Sequence, residues 1–466
     1  MLEPFVRANL HRWQAAYERF PAPARHVVAS ARGWLLARSR YAPETFQILR
    51  NLREHERWNS DQIRAYQLGA LQAILDLARN TVPFYRGYPD IQLRTFEDLR
   101  QLPVLQRDTV RENQERFVST AIPASKIIRV GTTGTTGGNL RVAYTEKIAR
   151  ANWAFLLRQR EWAGLNAREP RITLQGSRVA PVRSAKPPFW VHNLAERQIL
   201  LSIFHLSEQT APAYIRFLRA HQGLVFEGFP SALGILAGFV LARGEGIPMR
   251  AVFTSGEPLY ASIREKTEQA FQAPVFDSYG MTELCGLIQQ CERGRMHLIP
   301  DYGFLEILGE DDRPALGGAE GHFVWTGFIN SAMPLIRYRI GDSGRWLAGE
   351  TCPCGREFPL VLPTITRESD LLRCPDGRVF SPRALNQLLK NSNSLRSCQF
   401  IHERRERVLV RAVAGNGRAL EEMMRIRAGL QELLGPHMEV TADLAREPFT
   451  GPGGKIPLIV NRAGPQ

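Results

Sequence analysis

The sequence predicts an α/β protein: a large N-terminal domain with a doubly wound sheet and a β subdomain, followed by a small C-terminal α+β domain. Two observations carry this. Short apolar runs alternate with helical patterns between residues 171 and 280, as expected of βαβ units on a parallel sheet. From residue 304 the pattern becomes β-rich with Gly-containing turns, and beyond residue 366 it is mixed. With 466 residues, 44% of them hydrophobic, the chain can bury a sizeable core, and its length favours two or more domains.

Residues 1–80 read as a helical lead-in, with apolar residues at helical spacing in TFQILRNL (45–52) and IRAYQLGALQAILDLA (63–78). A polar, turn-rich stretch then leads into a Gly- and Thr-rich segment at 130–140, and a helix is expected over roughly 146–163. Strands follow in RITLQG (171–176), LVFEGF (224–229), RAVFTSG (250–256) and PVFDSYG (274–280), separated by helices that include one from Ser231 and one from Ser262. Ser262 with Glu265 three positions later has the capping-box pattern, which starts a helix directly after the SGEPL loop. That loop lies at the carboxyl edge of the sheet, where open α/β folds bind ligands. Ser255, Gly256 and Glu257 are thus expected to share a crevice with Tyr279 and Gly280.

FLEIL (304–308), HFVWTGF (322–328) and LIRYRIGD (335–342) form the β subdomain. In the last part, Ser381-Pro382 is expected to open a helix carrying Leu385, Leu388 and Leu389 on one face, Pro suiting the first helical position. RVLVRAVA (407–414), a helix over 419–434 and MEVTADL (438–444) complete the small domain. The expected limits are 1–80 for the lead-in, 81–366 for the large domain and 367–466 for the small mobile one.

Composition narrows the function. No apolar run reaches the roughly 18 residues of a membrane span, and GILAGFVLA (234–242) reads as a buried helix. Glu3, Arg7, His11 and Arg12 interrupt any signal-peptide core, and six cysteines in a chain this long fit a reducing cytoplasm. The net charge is +14, yet only six of the 60 basic residues are lysines and the arginines are spread along the chain. Without a compact basic run interleaved with aromatics, nucleic acid is set aside as a partner, whereas nucleotide phosphates stay compatible.

Four segments carry candidate chemistry. VGTTGTTGGNL (130–140) is a flexible, hydroxyl-rich loop whose amides could cradle phosphate oxygens through Thr132, Thr133, Gly134, Thr135, Thr136 and Gly137. It lacks the Lys-Ser/Thr ending of a Walker A loop and the GxGxxG spacing of a dinucleotide turn. DSYGMTELCG (277–286), PLIRYRIGDSG (334–344) and GPGGKIPL (451–458) follow in that order.

The order and spacing of these segments resemble the adenylate-forming superfamily, whose members activate a carboxylate with ATP. The resemblance implies that Tyr279 lies against adenine, Thr282 reaches the α-phosphate and Glu283 holds Mg²⁺. Asp342 would bind the ribose hydroxyls, and Lys455 would bridge the carboxylate and the α-phosphate during adenylation. Arg367 in TITRES stands where relatives carry Gly-Arg-x-Asp, but Thr366 replaces the glycine and Ser369-Asp370 the frequent acidic pair. NTVPFYR (80–86), EGFPS, FTSGEPL and CPCGR extend the resemblance to the phenylacetate–CoA ligase and CapK-type branch, the opening HERWNSDQIRAYQ being closer to CapK-type proteins.

The implied reaction joins a carboxylate, an aryl acid being favoured, to AMP, after which the small domain rotates and admits CoA. An amine acceptor, AMP transfer to a deazaflavin, and a catalytically silent nucleotide-binding homologue are the other readings; a homodimer is left open. Phe226, Phe229 and Trp153 are candidate pocket walls, although aromatics at such positions are mostly core. Separately, Cys291, His297, Cys352 and Cys354 would satisfy a structural tetrahedral Zn²⁺, with Gly355 relaxing the turn. Free cytosolic thiols are the alternative, and the branch often carries the CxCGR element.

Overall fold

The computed structural model describes residues 17–462, except 18, 132–139, 177–178, 182–183, 185, 204, 365–371, 376–378, 381–384, 386, 390–391, 393, 416 and 451–455. Three helices lead in: Ala22–Arg40, Pro43–His55 and Ser60–Thr81. The third starts where Asn59 accepts from the Gln62 amide while the Gln62 side chain accepts from the Asn59 amide, satisfying two otherwise orphaned donors. Its face bearing Leu71, Leu75 and Ala78 enters the main core.

The principal sheet has eight strands. Five are parallel, in the spatial order Val275–Gly280, Ala251–Ser255, Val225–Gly228, Arg171–Gln175 and Gln198–Ser202. Antiparallel strands extend both edges: Leu287–Gln290 and Met296–Leu298 on one side, Trp190–Asn193 on the other. Helices Pro230–Leu241 and Ala261–Phe271 connect consecutive parallel strands. The parallel strands read as near-continuous apolar runs because both faces are buried, and Ile172, Leu174, Phe226 and Val252 are all fully covered. Phe226 is therefore core and not a pocket wall.

A five-stranded sheet holds Gly303–Leu308, Gly321–Gly327, Tyr338–Trp346, Val361–Thr364 and the two-residue strand Leu105–Gln106. A third sheet of Leu395–Arg404, Arg407–Ala414, Glu439–Ala445 and Ile459–Asn461 is covered by helix Ala419–Leu434, with its own core around Phe400, Val410, Ile426 and Leu430. Lys266 Nζ, on the main-sheet helix Ala261–Phe271, donates to Ser392 O of this last part at 2.7 Å.

One local expectation is corrected. The helix after SGEPL begins at Ala261 with Tyr260 at the N-cap and no side-chain cap, so the Ser262–Glu265 box does not form. The helix expected over roughly 146–163 is present as Glu146–Trp162, capped by Thr145, and is preceded by the antiparallel pair Ile128–Gly131 and Arg141–Tyr144. Ser381-Pro382, from which a helix is expected, lies outside the described residues; Leu385 is helical and Gln387–Leu389 forms a 3-10 turn.

Candidate functional site

Among the described site candidates, Ser255, Gly256, Glu257, Tyr279 and Gly280 lie at the carboxyl edge of the parallel sheet. Ser255 and Ser278 are in register on neighbouring strands, so the strand ends bring Gly256 and Glu257 beside Tyr279 and Gly280. Gly256 needs its left-handed φ of +77° to turn the chain there. Glu257 Oε2 accepts from the Ser231 amide at 3.1 Å, at the N-terminus of helix Pro230–Leu241, where a carboxylate also meets the positive end of the helix dipole.

Tyr279 is buried, and its hydroxyl donates to Asp342 Oδ2 at 2.7 Å across the two sheets. Burial and the adjacent Asp342 carboxylate push the Tyr279 phenol well above its ordinary range. Its ring lies nearly parallel to Trp325 with centroids 6.2 Å apart and stands edge-on to Phe323 at 5.8 Å. Gly286 makes this possible, since a Cβ there would come within 2.3 Å of the Trp325 ring. Asp342 sits four positions after Tyr338 on one strand, hence on the same face.

Tyr338 in turn donates to Glu283 Oε1 at 3.3 Å. Glu283 is buried in the turn after the Tyr279 strand, and Leu284, at φ 56°, reverses the chain behind it. Burial raises the Glu283 carboxyl, a trend that Arg107 opposes. Thr282, one residue earlier, is exposed. Two carboxylates and two phenols are thus linked into one wall, with an exposed hydroxyl at its rim. An oxygen-preferring cation beside Glu283 would offset the cost of keeping that carboxylate charged, so the donor set fits Mg²⁺.

The antiparallel pair flanking the Gly/Thr-rich segment is anchored in the same core: Val142 and Ala143 are buried in the cluster that contains Tyr279, Trp325 and Tyr338. The Arg141 amide donates to Gln114 Oε1 at 2.7 Å, fixing one strand of it. Thr132, Thr133, Gly134, Thr135, Thr136, Gly137, Arg367 and Lys455 themselves lie outside the described residues. The residues flanking 451–455 on both sides are held by one side chain. Gln399, fully buried, donates to Phe449 O and Pro457 O at 2.9 Å each and accepts from the Phe449 amide at 2.7 Å. Phe229 is half-buried at the N-cap of Pro230–Leu241. Trp153 is buried and enclosed by Arg40 and Arg160.

The cysteine and histidine cluster does not belong to the β subdomain alone. Cys291 and His297 come from the antiparallel edge of the main sheet, and Cys352 and Cys354 from the loop after Tyr338–Trp346. All four ligand atoms lie within 4.8 Å of one another. Cys291 Sγ is 3.6 Å from Cys352 Sγ, and Cys354 Sγ is 3.5 Å from His297 Nε2. Tetrahedral Zn²⁺ with ordinary bond lengths puts two sulfurs about 3.8 Å apart and a sulfur and nitrogen about 3.6 Å apart. A disulfide would need about 2.05 Å. His297 Nδ1 donates to Phe358 O at 2.9 Å, which leaves Nε2 with its lone pair toward the cluster. The Arg293 amide points at Cys291 Sγ at 3.4 Å. Burial pushes the Cys352 thiol up to about 12 and raises Cys291, a cost that a bound dication would offset. The cluster fits zinc.

Three participants were not singled out from the sequence. Tyr338 lies inside the PLIRYRIGDSG segment, and the period-2 rule would have put it on the Asp342 face. Gln399 and the Phe358 carbonyl have no local sequence signal, because their partners are far away in the chain.

No family model matches the chain. Among curated proteins it is similar to Protein CapK of Staphylococcus aureus, 22% identical over 456 residues, covering 96% of this chain and 98% of the other. It is also similar to phenylacetate–coenzyme A ligases, that of Thermus thermophilus being 25% identical over 327 residues, 67% of this chain and 72% of that one. Among solved structures, 2-hydroxyisobutyryl-CoA ligase in the postadenylation state aligns with a TM-score of 0.66 at 21% identity, covering 87% of this chain and 91% of that one. With the ordered motifs and the Tyr279–Asp342 and Tyr338–Glu283 contacts, the chain is similar to the adenylate-forming proteins of the phenylacetate–CoA ligase and CapK branch, and it shares the fold of 2-hydroxyisobutyryl-CoA ligase.

Proposed function

We propose that this protein activates a small carboxylic acid with ATP, forming an acyl adenylate and pyrophosphate, and then transfers the acyl group to CoA. The observation that carries the reading is the buried wall of Tyr279, Asp342, Tyr338 and Glu283 at the ligand-binding edge of the sheet. Asp342 can accept from ribose hydroxyls while the Tyr279 hydroxyl holds its second oxygen. Thr282 at the rim is available to an α-phosphate oxygen. Mg²⁺ beside Glu283 would neutralise phosphate charge as the carboxylate attacks.

In this reading residues 367–466 form the small mobile domain, Arg367 lies at the hinge, and Lys455 enters the site for adenylation only. Its cation would meet charge developing on the α-phosphate. The relatives named for phenylacetate and CoA support an aryl acid and CoA as substrates. An amine acceptor and AMP transfer to a deazaflavin use the same first half-reaction. The zinc cluster is proposed to be structural, since four protein ligands leave no open position for substrate.

A panel of carboxylic acids, aryl acids first, assayed for pyrophosphate release with and without CoA tests the proposal. Release that needs both an acid and ATP, with a thioester formed when CoA is present, is the expected result. No turnover across a broad panel together with no ATP binding by calorimetry refutes it.

A further inference from the structure

Helix Ala22–Arg40 is held on the edge strand Trp190–Asn193 along one face. Arg25 donates to Val179 O at 3.2 Å, Ser30 donates to His192 O at 3.3 Å, and Arg40 pairs with Glu196 at 3.2 Å. Gly33 sits so close that a Cβ would overlap the Asn193 amide. The inner face is thus fixed to the domain.

The outer face has an unusual composition. Val27, Ala31, Trp34 and Arg38 follow at helical spacing and are all exposed, Val27 to 68% and Trp34 to 53%. Arg38 stacks over the Trp34 ring at 4.7 Å. The Leu194 amide donates to Ser30 Oγ, which brings the 76% exposed Leu194 beside this ridge. Five of the nine large apolar side chains exposed among the described residues, Phe20, Val27, Val28, Trp34 and Leu194, lie on this helix, its lead-in and the turn bonded to it. Such clustering marks an interaction site, whereas scattered exposed apolar residues do not.

Charge decides what covers it. The 25 residues from 19 to 43 include five arginines and no acidic residue. Exposed Arg19 and Arg32 flank the ridge, exposed Arg38 ends it, and exposed Arg197 stands three residues beyond Leu194. The acid of that turn, Glu196, is buried against Arg40 and Arg171.

We propose that this outer face docks the protein on an anionic phospholipid surface. Trp34 and the valines would enter the headgroup boundary, and the arginines would meet lipid phosphates. A second copy fits less well, because a two-fold contact sets each residue against its own counterpart patch and would bring the arginines together. Nucleic acid would meet the arginines but leave Val27, Val28 and Leu194 without apolar cover. The chain would be a peripheral protein; no helix among the described residues is long and apolar enough to cross a membrane.

The test is co-sedimentation of the full-length protein with phosphatidylcholine vesicles, with and without phosphatidylglycerol. Binding only to the anionic vesicles, released by high salt, is expected. Arg32→Glu with Arg38→Glu, and separately Trp34→Ser with Val27→Ser, should each lower the partition coefficient roughly tenfold or more. The urea midpoint should stay unchanged, and Arg38→Lys should retain binding. Equal binding of the variants and the wild type, or equal binding to neutral vesicles, overturns the proposal. So does a concentration-dependent dimer lost in the same variants with no vesicle binding, which assigns the face to a second copy, or retention of a DNA duplex with no vesicle binding.

Discussion

Replacing Cys352 and Cys354 together by serine removes two of four ligands from the proposed zinc cluster and leaves Cys291 and His297 to hold a metal alone. The stabilisation at stake follows from chain connectivity. Cys291 and Cys352 are 61 positions apart, and tying them through one ion removes denatured-state freedom worth about 4 kcal/mol. For a chain of this length, unfolding as one unit, that corresponds to a melting temperature lower by about 4 to 6 °C. Elemental analysis of purified protein should find about one zinc per chain in the wild type and close to none in the double variant. Calorimetry gives the thermal shift, and a chelator acting on the wild type should reproduce it. Co²⁺ exchanged into the site should show the visible absorption of a tetrahedral thiolate complex. Unchanged metal content in the double variant, or a melting temperature within about 1 °C of the wild type, would refute the cluster as a structural zinc site.

The other expectations concern the site and its supports. Tyr279→Phe removes the hydroxyl bonded to buried Asp342 and should destabilise the fold by about 1.5 to 3 kcal/mol in urea unfolding, while raising the KM for ATP. Lys455→Ala should slow adenylation by roughly a hundred- to thousandfold, yet leave thioester formation from a supplied acyl adenylate largely intact; equal slowing of both steps would defeat the domain-alternation reading. Gln399→Ala, which frees the residues flanking 451–455 on both sides, should slow adenylation in the same selective way but less severely. Asp277 is buried, and burial lifts its carboxyl from 3.8 to about 6 even though Thr254 donates to it. A raised carboxyl means that the native state holds the proton more tightly than the unfolded chain. Its contribution, roughly 3 kcal/mol, is present in full below pH 3.8 and is lost as the pH rises through about 6. Asp277→Asn should therefore flatten the decline in urea midpoint across that window, and an unchanged slope would count against this assignment.

How much was legible depended on the range of the interaction. The strands Arg171–Gln175, Val225–Gly228, Ala251–Ser255 and Val275–Gly280 were readable because each is a buried apolar run bounded by turn residues, and helix Ala419–Leu434 because its apolar face repeats at helical spacing. The antiparallel edge strands Trp190–Asn193 and Leu287–Gln290 were not singled out. They carry polar residues such as His192, whose ring packs against His26, and Gln290, which accepts from the Asp277 amide, so their partners sit elsewhere in the fold. The Ser262–Glu265 pattern misled because a capping box is a local option, and the chain entering from the SGEPL loop sets Tyr260 at the cap instead.

The sequence by itself determined the order of the four motifs, the parallel sheet and the residue types available for phosphate, ribose and metal, since these follow from local pattern and composition. Only the tertiary structure decided that Tyr279 meets Asp342 across 63 positions, that Tyr338 meets Glu283, and that Gln399 clamps the residues flanking 451–455 on both sides. It also decided that Cys291 and His297 reach the Cys352 loop from a different sheet. The physical reason is that buried polar groups must find partners wherever the packed core brings donors and acceptors together. No rule of local spacing records that choice.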